Sequence, residues 1–540
     1  MAIAGEPLGR APVVILVHGR NAGPQNILDL VPRLARPGLT YLAPAAADRT
    51  WYPLGFMADI PQNEPKLSSA LTMLAALVER VEAAGVARSR IVMIGFSQGA
   101  CLASEFVARH PARYGGLIAF TGGLIGPPGT RWAETGSLEG TPVFLGSGDP
   151  DNHVPAARVR ETAAVFTRMD AAVTTRIYPG MGHLVSDDEI AVAQAVVDEA
   201  ARVTVLSGGG AIGRLAAELD VRGWGRVTVM TTPGRAAGLA AVNGHLGGRV
   251  TDVVDSAALH VPAARVEQAL QIVNRAQPDA LLAFGGGSAI GLAKAVALRT
   301  ERPLPIAAVP TTYSGSEMTS IWAITDGDLK RTGRDDRVAP RIVIYDPALT
   351  LTLPPRASAA SGMNAIAHAV EALYSKTASP IAAAAADQAI RLLARSLPAI
   401  LAAPADAGAR ALALRGAHLA GVALQHASMG LHHKLCHVLG GTFGLPHADT
   451  HAALLPHVVQ FNAPAAPGAM AQIASALGAA DAVTGLHNLN NLLGLESRIS
   501  ALGLRAADID RAADLAAASS YPNPRPVSAD DVRTILKAAL

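Results

Sequence analysis

The chain has 540 residues, half of them hydrophobic and 16% charged, with a formal net charge of +2. That balance excludes an intrinsically disordered chain and a strongly charged nucleic-acid or membrane binder, and the length exceeds the roughly 250 to 300 residues at which a single hydrophobic core stops growing. No apolar stretch reaches the roughly 18 residues of a membrane span and no signal pattern opens the chain, so small-molecule partners and a cytoplasmic setting are expected.

From the N-terminus, β-branched runs at 13–17 and 91–94, with helical spacing at 67–86 between them, read as strand-helix-strand punctuation and predict a mainly parallel sheet. Further strands are expected at 41–43, 117–120, 143–145 and 175–178. A helix over 188–201 runs into a strand at 203–206, followed at once by Gly208, Gly209 and Gly210. This places a domain boundary near residue 201, with no Pro/Gly/Ser linker and hence a rigid junction. A second α/β series follows, with strands at 227–230, 280–284 and 306–309. Residues 321–345 read as an antiparallel excursion, its turn at Thr325, Asp326, Gly327 and Asp328 and its returning strand at 341–345. From about residue 355 only Ala/Leu-rich helical spacing remains. The expected fold class is therefore α/β, in three parts: an α/β domain over 1–201, a dinucleotide-binding α/β domain over 202–354 and an all-helical domain over 355–540. Cys101 and Cys436 fall in different domains and read as reduced thiols.

In the first part, Gly95-Phe96-Ser97-Gln98-Gly99 fits G-x-S-x-G between a strand and a helix, the context that a nucleophile on a tight elbow requires. An acid and a base should follow in the order Asp, His, just past strand ends. Asp151 and His183 fit, with Asp149 a competing acid and His153 a competing base. Near the first strand, the backbone N–H of Arg20, with that of Gln98, is a candidate oxyanion hole. These residues resemble the phospholipase/carboxylesterase branch of the α/β-hydrolases over about 11–200, through LVHGR, GFSQGACLA, FTGGLIGP, GDPDNHVP and YPGMGH. The resemblance implies metal-free ester or thioester hydrolysis, and it favours Asp151 over Asp149.

In the second part, Gly285, Gly286, Gly287 and Ser288 follow a strand and open a helix, an arrangement suited to a pyrophosphate. Gly208 and Gly209 offer a second surface for the dinucleotide. Thr232, Thr311 and Thr312 end other strands, and no acidic residue follows 227–230 to grip a ribose 2'-hydroxyl, which leaves NADH and NADPH both open. The histidines carry more information. Asn364 and His368 are four apart on one predicted helix (361–374), His433 and His437 are four apart on another, and His447 follows.

Residues 202–540 resemble the iron-containing alcohol dehydrogenase superfamily and, within it, the maleylacetate reductases, through GMNAIAHAVEALYS, LHHKLCHVLGGTFGLPHADTHA and YPNPRPV. In metal-dependent relatives one Asp and three His ligands match Asn364, His368, His433 and His447, so the charged ligand is replaced by an amide. Gly291 stands where those relatives commonly carry Asp. The resemblance implies reduction of maleylacetate to 3-oxoadipate by NADH or NADPH without a required metal, with His368, His433, His437 and His447 collectively supplying an oxyanion donor and a proton. Lys434, His432 or an Arg is expected to clamp the substrate carboxylates. It also implies a homodimer through the reductase part. Because a dienelactone opened by hydrolysis yields maleylacetate, the two halves are expected to serve one route of aromatic breakdown. The alternatives are a metal-dependent alcohol dehydrogenase fused to an esterase, and a reductase carrying a non-catalytic hydrolase-like module.

Overall fold

The computed structural model describes residues 1–540 except 10, 35–37, 235, 328 and 519, and it divides into two compact units, Met1–Thr204 and Val205–Leu540. The predicted turn residue Asp328 lies outside the described residues.

The first unit holds a seven-stranded sheet. Its strands are β1 (Ala2–Gly5), β2 (Val13–Val17), β3 (Thr40–Ala43), β4 (Ile91–Phe96), β5 (Gly116–Phe120), β6 (Pro142–Asp149) and β7 (Ala172–Pro179), in the order β1-β3-β2-β4-β5-β6-β7. The pairs from β3 to β7 are parallel, and β1 runs antiparallel on the outer edge of β3. Every residue of β2 and β5 is buried, as expected for strands covered on both faces by helices. Sequence reasoning missed β1, a four-residue edge strand that is half exposed. It also ended β6 too early: the strand continues through Gly146, Ser147 and Gly148, where small residues mask the strand signal, and pairs with β7 as far as Asp149 and Pro179.

In the second unit, β8 (Thr204–Ser207), β9 (Val227–Met230), β10 (Val250–Val254), β11 (Ala280–Gly285), β12 (Ile306–Pro310) and, further along the chain, Ile342–Tyr345 make a six-stranded sheet. Between the last two, β13 (Ile321–Asp326) and β14 (Leu329–Arg334) pair antiparallel as a separate hairpin. Numbering Ile342–Tyr345 as β15, the sheet order is β10-β9-β11-β12-β15-β8. This corrects the expected excursion. Its returning strand is β14, whereas β15 lies parallel to β12 inside the main sheet, where its wholly buried Ile-Val-Ile-Tyr run belongs.

Helices fill the chain from Pro355 onward. The long ones are Pro355–Tyr374, Pro380–Ala402 and Ala407–Gln425, followed by Leu431–Phe443 and His447–Asn462. Gly421 permits a close backbone approach: a methyl group there would lie 2.3 Å from the Gly315 carbonyl oxygen. Buried Arg410 ties the same helix to the loops, donating to the carbonyls of Leu353 and Pro404 and to the Tyr313 hydroxyl. No helix among the described residues is long and apolar enough to cross a membrane.

Candidate active sites

Ser97 sits between β4 and the helix Gln98–Arg109 with φ 55° and ψ −120°, a left-handed backbone that holds a serine at a tight elbow. The flanking glycines follow from contact distances. A methyl group at Gly95 would lie 2.5 Å from the Cα of Ala100, and one at Gly99 would lie 2.1 Å from the Val17 carbonyl oxygen.

His183 places Nδ1 2.8 Å from Asp151 Oδ2, and its ring packs 5.1 Å from that of Phe96, the residue before Ser97. The Asp151 side chain is fully buried and accepts from the backbone N–H groups of His153 and Val154 at 2.7 and 3.0 Å. Burial acts to raise its pKa, but those N–H groups and His183 outweigh it and hold the carboxyl below its usual range. Asp149, the competing acid, is the exposed last residue of β6. His153, the competing base, stands edge-on against the His183 ring at 4.7 Å. Thr121 was not anticipated: its Oγ1 lies 2.8 Å from the same Nδ1.

The oxyanion candidates are braced through their side chains. Gln98 donates Nε2 to the Tyr52 carbonyl at 2.7 Å and accepts at Oε1 from the N–H of Trp51 at 3.1 Å. Arg20 directs its guanidinium to the carbonyls of Tyr52, Pro53 and Leu54. A methyl group at Gly19 would lie 3.5 Å from the Cβ of Ser97, so the backbone entering Arg20 passes beside the serine.

The second unit contains a cavity of about 850 Å³. Its wall includes Gly286, Gly287 and Ser288 at the start of the helix Gly287–Arg299, with Thr232 and Thr312 at strand ends. Facing them are Asn364, His368, His433, His437 and His447. Gly285, with φ 146°, turns the chain behind this wall, and Thr311 is wholly buried beside it. Ser314 lines the wall, whereas Gly285 and Thr311, both expected at the cofactor, do not. The helix N-terminus and Gly287, where an added methyl group would come no closer than 3.7 Å to its neighbour Ser314, fit a dinucleotide phosphate.

Two further sets of expected residues lie outside this wall. Gly208 and Gly209 follow β8, which the sheet order sets three strands from β11, about 14 Å away at ordinary strand spacing. They are not in the cavity wall. The expected carboxylate clamps Lys434 and His432 are also outside it, because His432 is buried with Nε2 3.0 Å from His451 Nδ1. The cations that do line it are Lys330 and Arg334, both on β14. Arg334 donates to the carbonyls of Leu424, Gln425 and Ala427, whereas burial lowers the pKa of Lys330.

The histidines form an ordered chain. Glu371 accepts from Nδ1 of His433 and from the backbone N–H groups of Gly430, His432 and His433 at the start of the helix Leu431–Phe443. With His433 protonated at Nδ1, its Nε2 accepts from His368 Nδ1 at 2.6 Å, and His368 Nε2 accepts from the Asn364 amide at 3.3 Å. Burial lowers the pKa of His368, His437 and His451 well below the ordinary value, and takes His432 and His447 down to about 3. All five are neutral at pH 7.

These positions fit a divalent cation poorly. Asn364 brings no charge, and the 2.6 Å contact between His368 and His433 is a hydrogen bond, shorter than the roughly 3.3 Å that separates two nitrogens on a tetrahedral ion with 2.0 to 2.1 Å bonds. Gly291 is sterically fixed as well, since a methyl group there would lie 2.8 Å from Val261 Cγ2. His432, Cys436 and His451 converge with potential ligand atoms within 4.8 Å of one another, but the His432–His451 pair is itself hydrogen-bonded.

Comparison with known proteins agrees with this division. Residues 10–200 match the phospholipase/carboxylesterase family, 203–347 the iron-containing alcohol dehydrogenase family and 358–540 the C-terminal part of that family. The maleylacetate reductase of Sphingobium indicum is 47% identical over 336 residues, covering 62% of this chain and 95% of that protein. The maleylacetate reductase of Burkholderia cepacia is 46% identical over 345 residues, covering 64% and 97%. A crystal structure of maleylacetate reductase from Agrobacterium tumefaciens aligns with a TM-score of 0.60 at 41% identity, covering 62% of this chain and 95% of that one.

Proposed function

The chain belongs to the iron-containing alcohol dehydrogenase family, with a phospholipase/carboxylesterase unit ahead of that part, and on this premise we propose that it is a bifunctional enzyme: a maleylacetate reductase joined to a serine ester or lactone hydrolase. The observation that carries the reductase reading is the Asn364–His368–His433 chain, backed by buried Glu371, in the wall of a cavity that also holds the Gly286–Gly287 turn.

A nicotinamide cofactor supplies the hydride when bound. As hydride adds to the conjugated double bond, negative charge builds on the ketone oxygen, and a donor must meet it while a proton reaches carbon. His368, His433, His437 and His447 take these roles together. Glu371 stabilises positive charge at His433, which lets the pair pass a proton along the 2.6 Å contact. Lys330 supplies positive charge to a cavity that receives an anionic substrate and an anionic cofactor. The donor set supports a reaction without metal, and the same reading includes a cytoplasmic homodimer formed through the reductase part.

In the hydrolase, Ser97 Oγ attacks the carbonyl carbon, His183 accepts its proton, Asp151 holds the imidazole, and the N–H groups of Arg20 and Gln98 stabilise the oxyanion. Opening of a dienelactone is the reaction that would feed the second unit.

The test uses purified protein with maleylacetate and each nicotinamide cofactor, before and after chelation. Chelation-resistant turnover with either cofactor is expected, and no turnover with either sinks the reading. Ser97→Ala should still oxidise NADH with maleylacetate but not with dienelactone. If it consumes both at the wild-type rate, the two units are not coupled in this way.

A further inference from the structure

We propose that Thr121 is a positioning residue of the hydrolase site, its hydroxyl serving as a second anchor, beside Asp151, for Nδ1 of His183. The proposal rests on the reading of Ser97, Asp151 and His183 as a hydrolytic triad.

Three observations meet at this residue. Its Oγ1 is 2.8 Å from His183 Nδ1, as close as the nearer oxygen of Asp151. Its backbone has φ 49°, a left-handed conformation that is a genuine outlier for a β-branched side chain. And it is wholly buried, pinned by donation of its N–H to the Gly146 carbonyl of β6 at 2.7 Å. Strain of this kind persists only where the surroundings over-determine it. Here the neighbours do so: a methyl group at the following Gly122 would lie 2.3 Å from the Ala100 Cβ, so the chain leaving β5 is pressed against the helix that follows Ser97. The turn that costs Thr121 its ordinary backbone is the one that sets its hydroxyl beside the imidazole.

Nδ1 carries one hydrogen when His183 acts as a base at Nε2, because Asp151 is an acceptor only. The Thr121 oxygen therefore shares that hydrogen with Asp151, and two oxygens flank the N–H. Asp151, which can only accept, selects the Nδ1–H tautomer, the Thr121 oxygen then accepts from the same N–H, and both contacts strengthen once Nε2 has taken the serine proton and the ring is charged. Phe96 and His153 flank the ring, at centroid distances of 5.1 and 4.7 Å.

The test compares Thr121→Val, which keeps the shape without the hydroxyl, with Thr121→Ser, which keeps the hydroxyl without the γ-methyl. The probes are p-nitrophenyl acetate and a fluorophosphonate. Thr121→Val should lower kcat roughly 10- to 100-fold at unchanged KM, slow fluorophosphonate labelling and move the acid limb of kcat/KM to lower pH, whereas Thr121→Ser should stay within about threefold of wild type. Wild-type rates in Thr121→Val, or equal impairment in both variants, would overturn the proposal. The low-field proton signal of His183 Nδ1 gives a readout free of turnover: it should exchange faster in Thr121→Val, and unchanged exchange also overturns the proposal. If wild-type Ser97 resists labelling, it is the hydrolase reading that fails, and this signal still decides whether Thr121 holds the ring.

Discussion

The Glu371 carboxylate and the His433 imidazole are hydrogen-bonded at Nδ1, and that carboxylate also caps the helix bearing His433 by accepting from the backbone N–H groups of Gly430, His432 and His433. Burial acts to raise the Glu371 pKa, yet the His433 contact and the cap hold it below the ordinary carboxylate value. One anion thus fixes both the helix start and the tautomer of a cavity histidine.

Glu371→Gln should separate these tasks. A glutamine amide keeps one acceptor oxygen and brings two donors, so it cannot accept from Nδ1 and from the helix N–H groups together. kcat for maleylacetate reduction should fall about 100-fold, the scale of a lost acid-base contribution, with the NADH dissociation constant unchanged by fluorescence titration. A kcat within twofold of wild type would remove Glu371 from the mechanism.

Protonation of the histidines links the cavity to stability. His368, His432, His437, His447 and His451 have folded pKa values below the ordinary 6.5, with His432 and His447 near 3. Below pH 6.5 the unfolded chain binds protons that the folded chain refuses. Their contribution is therefore full above pH 6.5 and lost as pH falls toward 3, at about 1.4 kcal/mol per pH unit for each histidine that stays neutral. Glu371 adds a loss in the same direction below the carboxylate range. Calorimetry should show the transition of residues 205–540 level from pH 7.5 to 6.5 and falling steadily from pH 6.5 to 5.5. A flat midpoint over that interval would mean the cavity histidines are not held neutral.

The glycine turn offers a clean cofactor test. A methyl group at Gly287 meets only Ser314, at an ordinary 3.7 Å, whereas one at Gly286 would press to 2.8 Å against Thr312. Gly287→Ala should fold normally and raise KM for NADH about tenfold or more by occupying the space beside the helix N-terminus. An unchanged KM with either cofactor would place the pyrophosphate elsewhere.

How much of this was legible in the sequence depended on the range of each signal. The Ser97 elbow, and Asn364 with His368, sit in short motifs whose spacing fixes the local geometry, so both could be read. Thr121 could not: it follows an ordinary strand, and its role depends on a backbone conformation and a neighbour 62 positions away. Glu371 was hidden because its partners begin at Gly430, on another helix. Lys330 escaped because the hairpin's returning strand was assigned to 341–345, which left β14 unrecognised. A glycine turn after a strand looks the same in sequence whether the strand lies at the sheet's centre or its edge, so the edge position of β8, which Gly208 and Gly209 follow, was not legible.

Asp151 and Asp149 lie two positions apart, and their substitution decides which one serves His183. Asp149 ends β6 in register with Pro179 and is exposed. Asp151 lies just past the strand end, where the N–H groups of His153 and Val154 hold its buried carboxylate 2.8 Å from His183 Nδ1. In Asp151→Asn the amide can present a donor to Nδ1, which favours the tautomer with Nδ1 unprotonated and Nε2 carrying the hydrogen. A base in that state cannot take the serine proton, and the expected loss in p-nitrophenyl acetate turnover is roughly 10³- to 10⁴-fold. Asp149→Asn should remain within about threefold of wild type, since surface substitutions away from such networks change little. Parallel initial-rate measurements on the two variants check this, and a larger loss in Asp149→Asn than in Asp151→Asn would reverse the assignment.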